Sequence, residues 1–257
     1  MYYREVFDEH VRLTTRSAQG PLEFQRTQEL IRAHVPSGRI ADIGGGSGTH
    51  AVALLDAGYD VELIDPVLRH VLQAQNAGVH AQVGDARELP YPDDSFDAAL
   101  LLGPLYHLAA IEDRLLALRE ASRVVRSGGA VIAAGLSRYT AFGAISLTRE
   151  VQGELPEEWK RLIARGEPTA AARFPAGHFH TAEELQQEAE AAGIDDVEVV
   201  GVEGPAGLLL EVSGDADAEV RDAAMTLARA ASAVPGIRDQ SAHLLAIGRV
   251  TGRGGKE

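Results

Sequence analysis

Between Ile40 and Gly48 the chain reads Ile-Ala-Asp-Ile-Gly-Gly-Gly-Ser-Gly, with four glycines in five positions directly after a short apolar run. The helical pattern Thr49–Ala57 follows, so the stretch describes a strand, a tight turn and a helix. Such a turn lets a ligand reach the main chain, and the helix behind it offers N–H groups to an anion. The alternation then repeats. Strands are expected at Ile40–Ile43, Asp60–Ile64, Val79–Val83, Phe96–Leu102 and Ala130–Leu136, with helices at Leu68–Ala77 and Ile111–Val125 between them. This pattern predicts an α/β chain with a mostly parallel sheet and helices on both faces.

The segment from Ser137 to Gly177 breaks the alternation and is expected to be a helical insertion folded over one edge of the sheet as a lid. Beyond it come a helix at Ala182–Ala192, a strand at Val197–Val202, a helix at Ala216–Ala233 and a strand at Leu244–Val250, which brings the sheet to seven strands. Helices at Tyr3–Leu13 and Pro21–His34 precede the first strand. One domain is therefore expected, with an N-terminal helical cap at 1–36, a core at 37–136, the insertion at 137–180 and the completion of the sheet at 181–250.

Charge narrows the partners. The 257 residues include 24 Lys+Arg against 38 Asp+Glu, a net charge of -14. That field repels phosphate backbones and anionic lipid, so neither nucleic acid nor a membrane surface is expected as a partner. No cysteine is present, which excludes disulfides and thiolate metal sites. The chain offers no apolar signal core and no run of the ~18 apolar residues that a span requires. A cytoplasmic protein is expected, and monomer and homodimer are equally compatible with the sequence.

Several ligands suit a glycine turn. A phosphate cradle needs a lysine that does not follow here, and the dinucleotide pattern needs a third small residue where Thr49 stands. Asp65, at the tip of the second strand, can accept from the vicinal hydroxyls of a ribose. Asp85, after the third strand, can accept from an exocyclic amine, or it can simply cap a turn. The fourth strand leads into Gly103-Pro-Leu-Tyr-His107, where His107 can serve as a base near neutral pH or pack at the mouth.

Taken in order, Asp42-Ile-Gly-Gly-Gly-Ser-Gly, Asp65, Gly84-Asp-Ala-Arg-Glu-Leu-Pro90, Phe96-Asp-Ala-Ala-Leu-Leu-Leu102 and Arg126-Ser-Gly-Gly-Ala130 resemble the successive motifs of class I S-adenosylmethionine-dependent methyltransferases. Leu22-Glu-Phe-Gln-Arg-Thr27, Phe179-His180, Val202-Glu-Gly-Pro205 and Ser241-Ala-His-Leu-Leu245 extend the resemblance to a bacterial small-molecule subgroup. The resemblance implies a Rossmann-like fold and S-adenosyl-L-methionine as cofactor. It implies that Gly44, Gly45, Gly46, Asp42, Asp65, Pro66, Asp85, Ala86 and Arg87 line the donor, with backbone contacts from Leu102 and Gly103. Tyr3 and Arg26 are expected to close over it, with Glu23 beside Arg26. The subgroup's usual tyrosine before Phe-His is His178 here.

Methyl transfer needs a base only when the acceptor must lose a proton. Tyr106, His107, His178 and His180 are the candidates for that role or for orienting the substrate. His178-x-His180 could chelate, but two ligands without a carboxylate make a weak site, and no metal is expected. The aromatics of the N-terminal helix and the insertion, among them Tyr139, Phe142, Trp159, Phe174 and Phe179, suggest an apolar pocket for a small organic acceptor. Two other readings remain: a protein that binds S-adenosylmethionine without catalysis, and a nicotinamide-dependent oxidoreductase.

Overall fold

The computed structural model describes residues 9–147, 153–169, 177–213 and 216–251, with the backbone alone at 9–11. Seven strands hydrogen-bond side by side: β1 (Arg39–Ile43), β2 (Asp60–Asp65), β3 (His80–Val83), β4 (Phe96–Leu101), β5 (Val125–Ser137), β7 (Asp195–Gly201) and β8 (His243–Arg249), in the order β3-β2-β1-β4-β5-β8-β7. A two-residue strand, β6 (Phe179–His180), adds parallel to the end of β5. All neighbours are parallel except β8, which runs antiparallel to both β5 and β7.

The helices are α1 (Glu9–Thr14), α2 (Gln19–His34), α3 (Thr49–Asp56), α4 (Leu68–Asn76), α5 (Ile111–Val124), α6 (Arg138–Gly143), α7 (Glu157–Arg165), α8 (Ala182–Ala191), α9 (Gly207–Ser213) and α10 (Ala218–Ala231). Successive strand residues feed opposite faces of the sheet, as the pleat requires. Ile40, Ala98, Leu100, Ala130 and Ile132 pack with α2, α3 and α4 on one side. Ala41, Ile43, Ala99, Leu101 and Val131 pack with α5 and α8 on the other. Both faces are covered, which explains why the central strands read as near-continuous apolar runs.

Two departures from the expected elements have physical causes. Arg126-Ser-Gly-Gly is not a break before the strand but a bulge inside it, since β5 pairs Val125 with Phe96 and then Ala130 with Ala98. Gly128 makes this possible with φ +81, and its N–H donates to Val250 O at 2.6 Å. The short helix α9 lies after a glycine-rich turn, where its seven residues are too few to show a period.

The chain order sets the ligand position. From β1 it steps outward to β2 and β3, then returns to place β4 on the other side of β1. Connections leave β1 and β4 in opposite directions, so a crevice opens above their C-terminal ends.

Candidate active site

The glycine loop forms one wall of that crevice. Gly44, Gly46 and Gly48 take φ values of +70, +58 and +84, where a side chain is strained. Gly45 is constrained differently, because a Cβ there would lie 2.4 Å from Asp42 Oδ2 and 2.7 Å from a Leu63 methyl. A Cβ on Gly44 would strike Pro104 at 2.6 Å, so the loop is pressed against the segment after β4. Gly44 N–H donates to Ile64 O at 2.6 Å, tying the loop to β2 as well.

Asp65 ends β2 beside this loop and is 95% buried. One carboxylate oxygen accepts from Gly46 N at 3.0 Å, the other from Val67 N at 2.8 Å, and the His70 ring nitrogen lies 3.2 Å away. The oxygen facing Gly46 retains a lone pair for a further donor, while the other already faces both Val67 N and the His70 ring. Asp85 is held by Arg87, whose Nε and a terminal nitrogen contact its two oxygens at 3.0 and 2.7 Å. That hydrogen bonding lowers the Asp85 pKa and keeps it anionic. Arg87 reaches Asp113 on α5 as well, at 3.0 Å.

Gly44, Gly46, Asp65, Pro66, Asp85, Ala86, Arg87, Gly103, Tyr106 and His107 line one cavity of about 600 Å³. Asp42 lies beneath the loop, and neither it nor Gly45 belongs to the lining. His107 stands exposed at the mouth, its ring 4.7 Å from that of Tyr106. Surrounding protein desolvates the imidazole and lowers its pKa, against the attraction of Asp65, so it is neutral at pH 7. The Tyr106 hydroxyl donates to Leu102 O at 3.0 Å, and Leu102, expected to offer a backbone contact to the donor, does not line the cavity.

The cavity continues away from the loop into an apolar chamber. Leu136 from β5, Ala141 and Ala144 beyond it, Trp159 and Leu162 from α7, and Phe179 form its walls. The insertion thus contributes to the site, although Tyr139 is exposed and points its bulk to solvent. Tyr3 and Phe174 lie outside the described residues.

Four expected residues are elsewhere. Arg26 faces α10, with contacts to Glu29 at 3.3 Å and Ser232 at 3.4 Å, because α2 turns that side away from the crevice. Its expected neighbour Glu23 is buried and binds Arg12 instead, at 2.5 and 2.9 Å. His180 is fully buried under β5 and contacts Glu188 at 3.3 Å. Burial lowers its pKa despite that carboxylate. His178 stacks edge-on against His180 at 4.5 Å and lies 3.7 Å from Glu184. Neither histidine lines the cavity, so neither can take a proton there. The alternation along β6 sends Phe179 to the chamber and its neighbours elsewhere.

The carboxylate thought missing from His178-x-His180 is present as Glu188, which brings the three within metal-binding reach. Arg114 already holds that carboxylate through three contacts of 2.7 to 3.1 Å, supplying the positive charge a cation would bring.

Sequence reading missed Arg12, Gln19 and His243, which line the far side of the cavity. They come from α1, α2 and β8, each remote in sequence from the glycine loop. Only the motif segments containing Glu23, Glu203 and His243 hinted at this.

The profile of a family described as "Methyltransferase domain" matches residues 41–133, which run from β1 to β5 and contain the glycine loop, Asp65 and Asp85. Residues 41–133 thus carry a methyltransferase domain of the class I S-adenosylmethionine-dependent kind. S-adenosylmethionine is the methyl donor of this family. The human probable tRNA methyltransferase 9B is 31% identical over 114 residues, covering 41% of this chain and 23% of that protein. A demethylmenaquinone methyltransferase of Renibacterium salmoninarum is 33% identical over 108 residues, covering 41% and 44%. The chain therefore spans less than half the length of these curated relatives. Among solved structures, an S-adenosylmethionine-dependent methyltransferase of Thermotoga maritima, titled a possible histamine N-methyltransferase, superposes with a TM-score of 0.62 at 21% identity, covering 90% of this chain and 92% of that one. This likeness concerns the fold. Among the described residues no helix is long and apolar enough to cross a membrane.

The methyltransferase donor suits the crevice. The loop leaves no Cβ where a ligand must approach, and the acid at the tip of β2 is anchored by the loop it adjoins.

Proposed function

We propose that this chain transfers the methyl group of S-adenosylmethionine to an oxygen, nitrogen or carbon nucleophile of a small, largely apolar organic molecule. One observation supports this above the others: a single cavity joins the polar rim at the glycine loop to the apolar chamber of Leu136, Trp159, Leu162 and Phe179. In this reading Asp65 accepts from the ribose hydroxyls, and Gly44 and Gly46 bring backbone to the methionine end. Ala86 and the Asp85–Arg87 pair border the base. When bound, the donor supplies an electrophilic methyl on a sulfonium, so aligning the acceptor does much of the work. The chamber walls provide that alignment and exclude water. The tyrosine held by Leu102 O and the neutral His107 mark the boundary between the two halves.

A macromolecular acceptor is the competing reading, because one relative is titled a tRNA methyltransferase. The net charge of -14 argues against it, since nucleic-acid binding gains from positive surface. The test is a screen with methyl-labelled S-adenosylmethionine against phenols, alcohols, amines and quinols, with bulk transfer RNA in parallel. Label is expected in a small organic acceptor and not in RNA. Label confined to RNA would overturn the substrate class, and donor binding without transfer to any acceptor would favour a non-catalytic role.

A further inference from the structure

We propose that His243, backed by the Glu203 carboxylate, is the base that takes a proton from the acceptor's nucleophilic atom, and therefore that the acceptor is a hydroxyl or an ammonium compound. This rests on the methyltransferase reading and adds the chemical class of the substrate.

The placement follows from topology. β8 runs antiparallel to its neighbours, so its first residue stands where the parallel strands end, and His243 pairs with Leu136 at the end of β5. The residue lines the cavity on the apolar side, near Ser137 and Ala242. Its Nδ1 lies 2.5 Å from Glu203 Oε1, and its backbone N–H donates to the other oxygen of the same carboxylate at 3.0 Å. Gln19 donates to Glu203 as well, at 3.2 Å, which fixes the carboxylate from the opposite side. Glu203 itself is fully buried.

With Nδ1–H directed at a carboxylate, Nε2 carries the lone pair. Among the described residues none hydrogen-bonds Nε2, and the side chain, 13% exposed, lines the cavity. A carboxylate behind one ring nitrogen and an open site before the other is the arrangement that makes an imidazole a directional proton acceptor.

Charge counting gives the second argument. Glu203 and Glu23 bring two negative charges to His243, the latter 3.6 Å from Nδ1. Arg12, paired with Glu23, returns one positive charge. Among the described residues the other titratable group acting on the cluster is His50 on α3, and burial lowers its pKa to about 4, so it is neutral at pH 7. Among these groups one negative charge is left over, and a proton on His243 cancels it. The cluster is thus built to receive one proton. Burial alone would lower the His243 pKa, but Glu23 and Glu203 outweigh it and the pKa is raised, with Arg12 opposing them.

The step balances simply. The acceptor's O–H or N–H proton passes to Nε2, the acceptor's electron pair forms the bond to the methyl carbon, and the pair of the broken S–C bond stays on sulfur. Bulk solvent then removes the proton from His243.

Two measurements test this. In protein carrying ¹³Cε1-labelled histidine and saturated with S-adenosylhomocysteine, the His243 resonance should titrate above 6.5 and move to lower pH in Glu203→Gln. An unmoved titration would overturn the pairing, and a resonance that shifts with stoichiometric zinc alone would make Glu23, Glu203 and His243 a metal site instead. In kinetics with an acceptor from the screen, the wild-type kcat should rise with pH through one ionisation. His243→Asn keeps a donor to Glu203 and removes Nε2, and should lose that limb with kcat about 100-fold lower and KM little changed. A kcat within about threefold of wild type with the limb intact would overturn the role. Failure of S-adenosylhomocysteine to bind would instead refute the function itself, and the Glu203-dependent titration would then be read in the free protein.

Discussion

At the scale of single residues, the site depends on what is missing as much as on what is present. Gly45 has an ordinary φ, so its constraint is steric: the space for a Cβ is filled by Asp42 and Leu63. The buried Asp42 cannot retreat, being 1% exposed among core strands. Gly45→Ala should therefore push the loop outward, lowering affinity for S-adenosylhomocysteine by at least about tenfold and costing about 1–3 kcal/mol of stability through overpacking. Calorimetric titration and thermal unfolding of the variant check both. The four glycines were legible as a ligand loop from sequence. The reason for the second of them was not, because it is a contact with Asp42 that only the folded turn creates.

At the scale of elements, a buried ion pair joins α5 to α8. Arg114 binds Glu188 through three contacts and also donates to Leu108 O and Ala109 O at 3.1 and 2.8 Å. Both side chains are less than a tenth exposed. Glu188→Ala strands a buried guanidinium and should cost about 3–5 kcal/mol, whereas Arg114→Met with Glu188→Leu should recover most of it. Thermal unfolding of the two variants decides. The same groups set the acid limit. Burial raises the Glu188 pKa, but His180 and Arg114 more than reverse this and lower it from 4.5 to about 2. Burial likewise raises the Glu23 pKa, and Arg12 and His243 lower it to about 2. A carboxylate with a depressed folded pKa contributes its full stability above 4.5 and loses it as pH falls toward 2. His50, lowered by burial from 6.5 to about 4, loses its contribution over that higher interval. The melting temperature should thus begin to fall below pH 6.5 and drop more steeply below 4.5. A melting temperature flat from pH 7 to 4 would contradict these assignments.

The elements show where sequence reading succeeded and stopped. Strands β1, β2 and β4 announced themselves by apolar runs ending in glycine or acid, and alternation put Gly46, Asp65 and Asp85 on one rim. The helix α8 carries its own signal, a capping box between Thr181 and Glu184. His178 and His180 misled because β6 is only two residues long, too short to reveal which side chain faces the chamber. Arg26 misled because a helix face is fixed by what packs against it, and α10 lies about 200 residues further along the chain.

At the scale of the whole molecule, the fold brings two halves of the chain to one rim. Residues 41–133 bring the glycine loop, Asp65 and Asp85, all legible in order. The second half brings the chamber and the Glu203–His243 pair, whose partners Glu23 and Arg12 come from the N-terminal helices. Those long-range meetings depend on the antiparallel insertion of β8 between β5 and β7, which no local pattern specifies. The donor half is thus readable from motifs, and the acceptor half only from the fold.

In the proposed function the crevice above β1 and β4 binds the methyl donor through Asp65. Isothermal titration with S-adenosylhomocysteine tests it directly. Micromolar binding to the wild-type protein, lost in Asp65→Ala while that variant keeps its unfolding transition, is the predicted result. No binding to the wild-type protein, or equal binding to a folded Asp65→Ala variant, would contradict it.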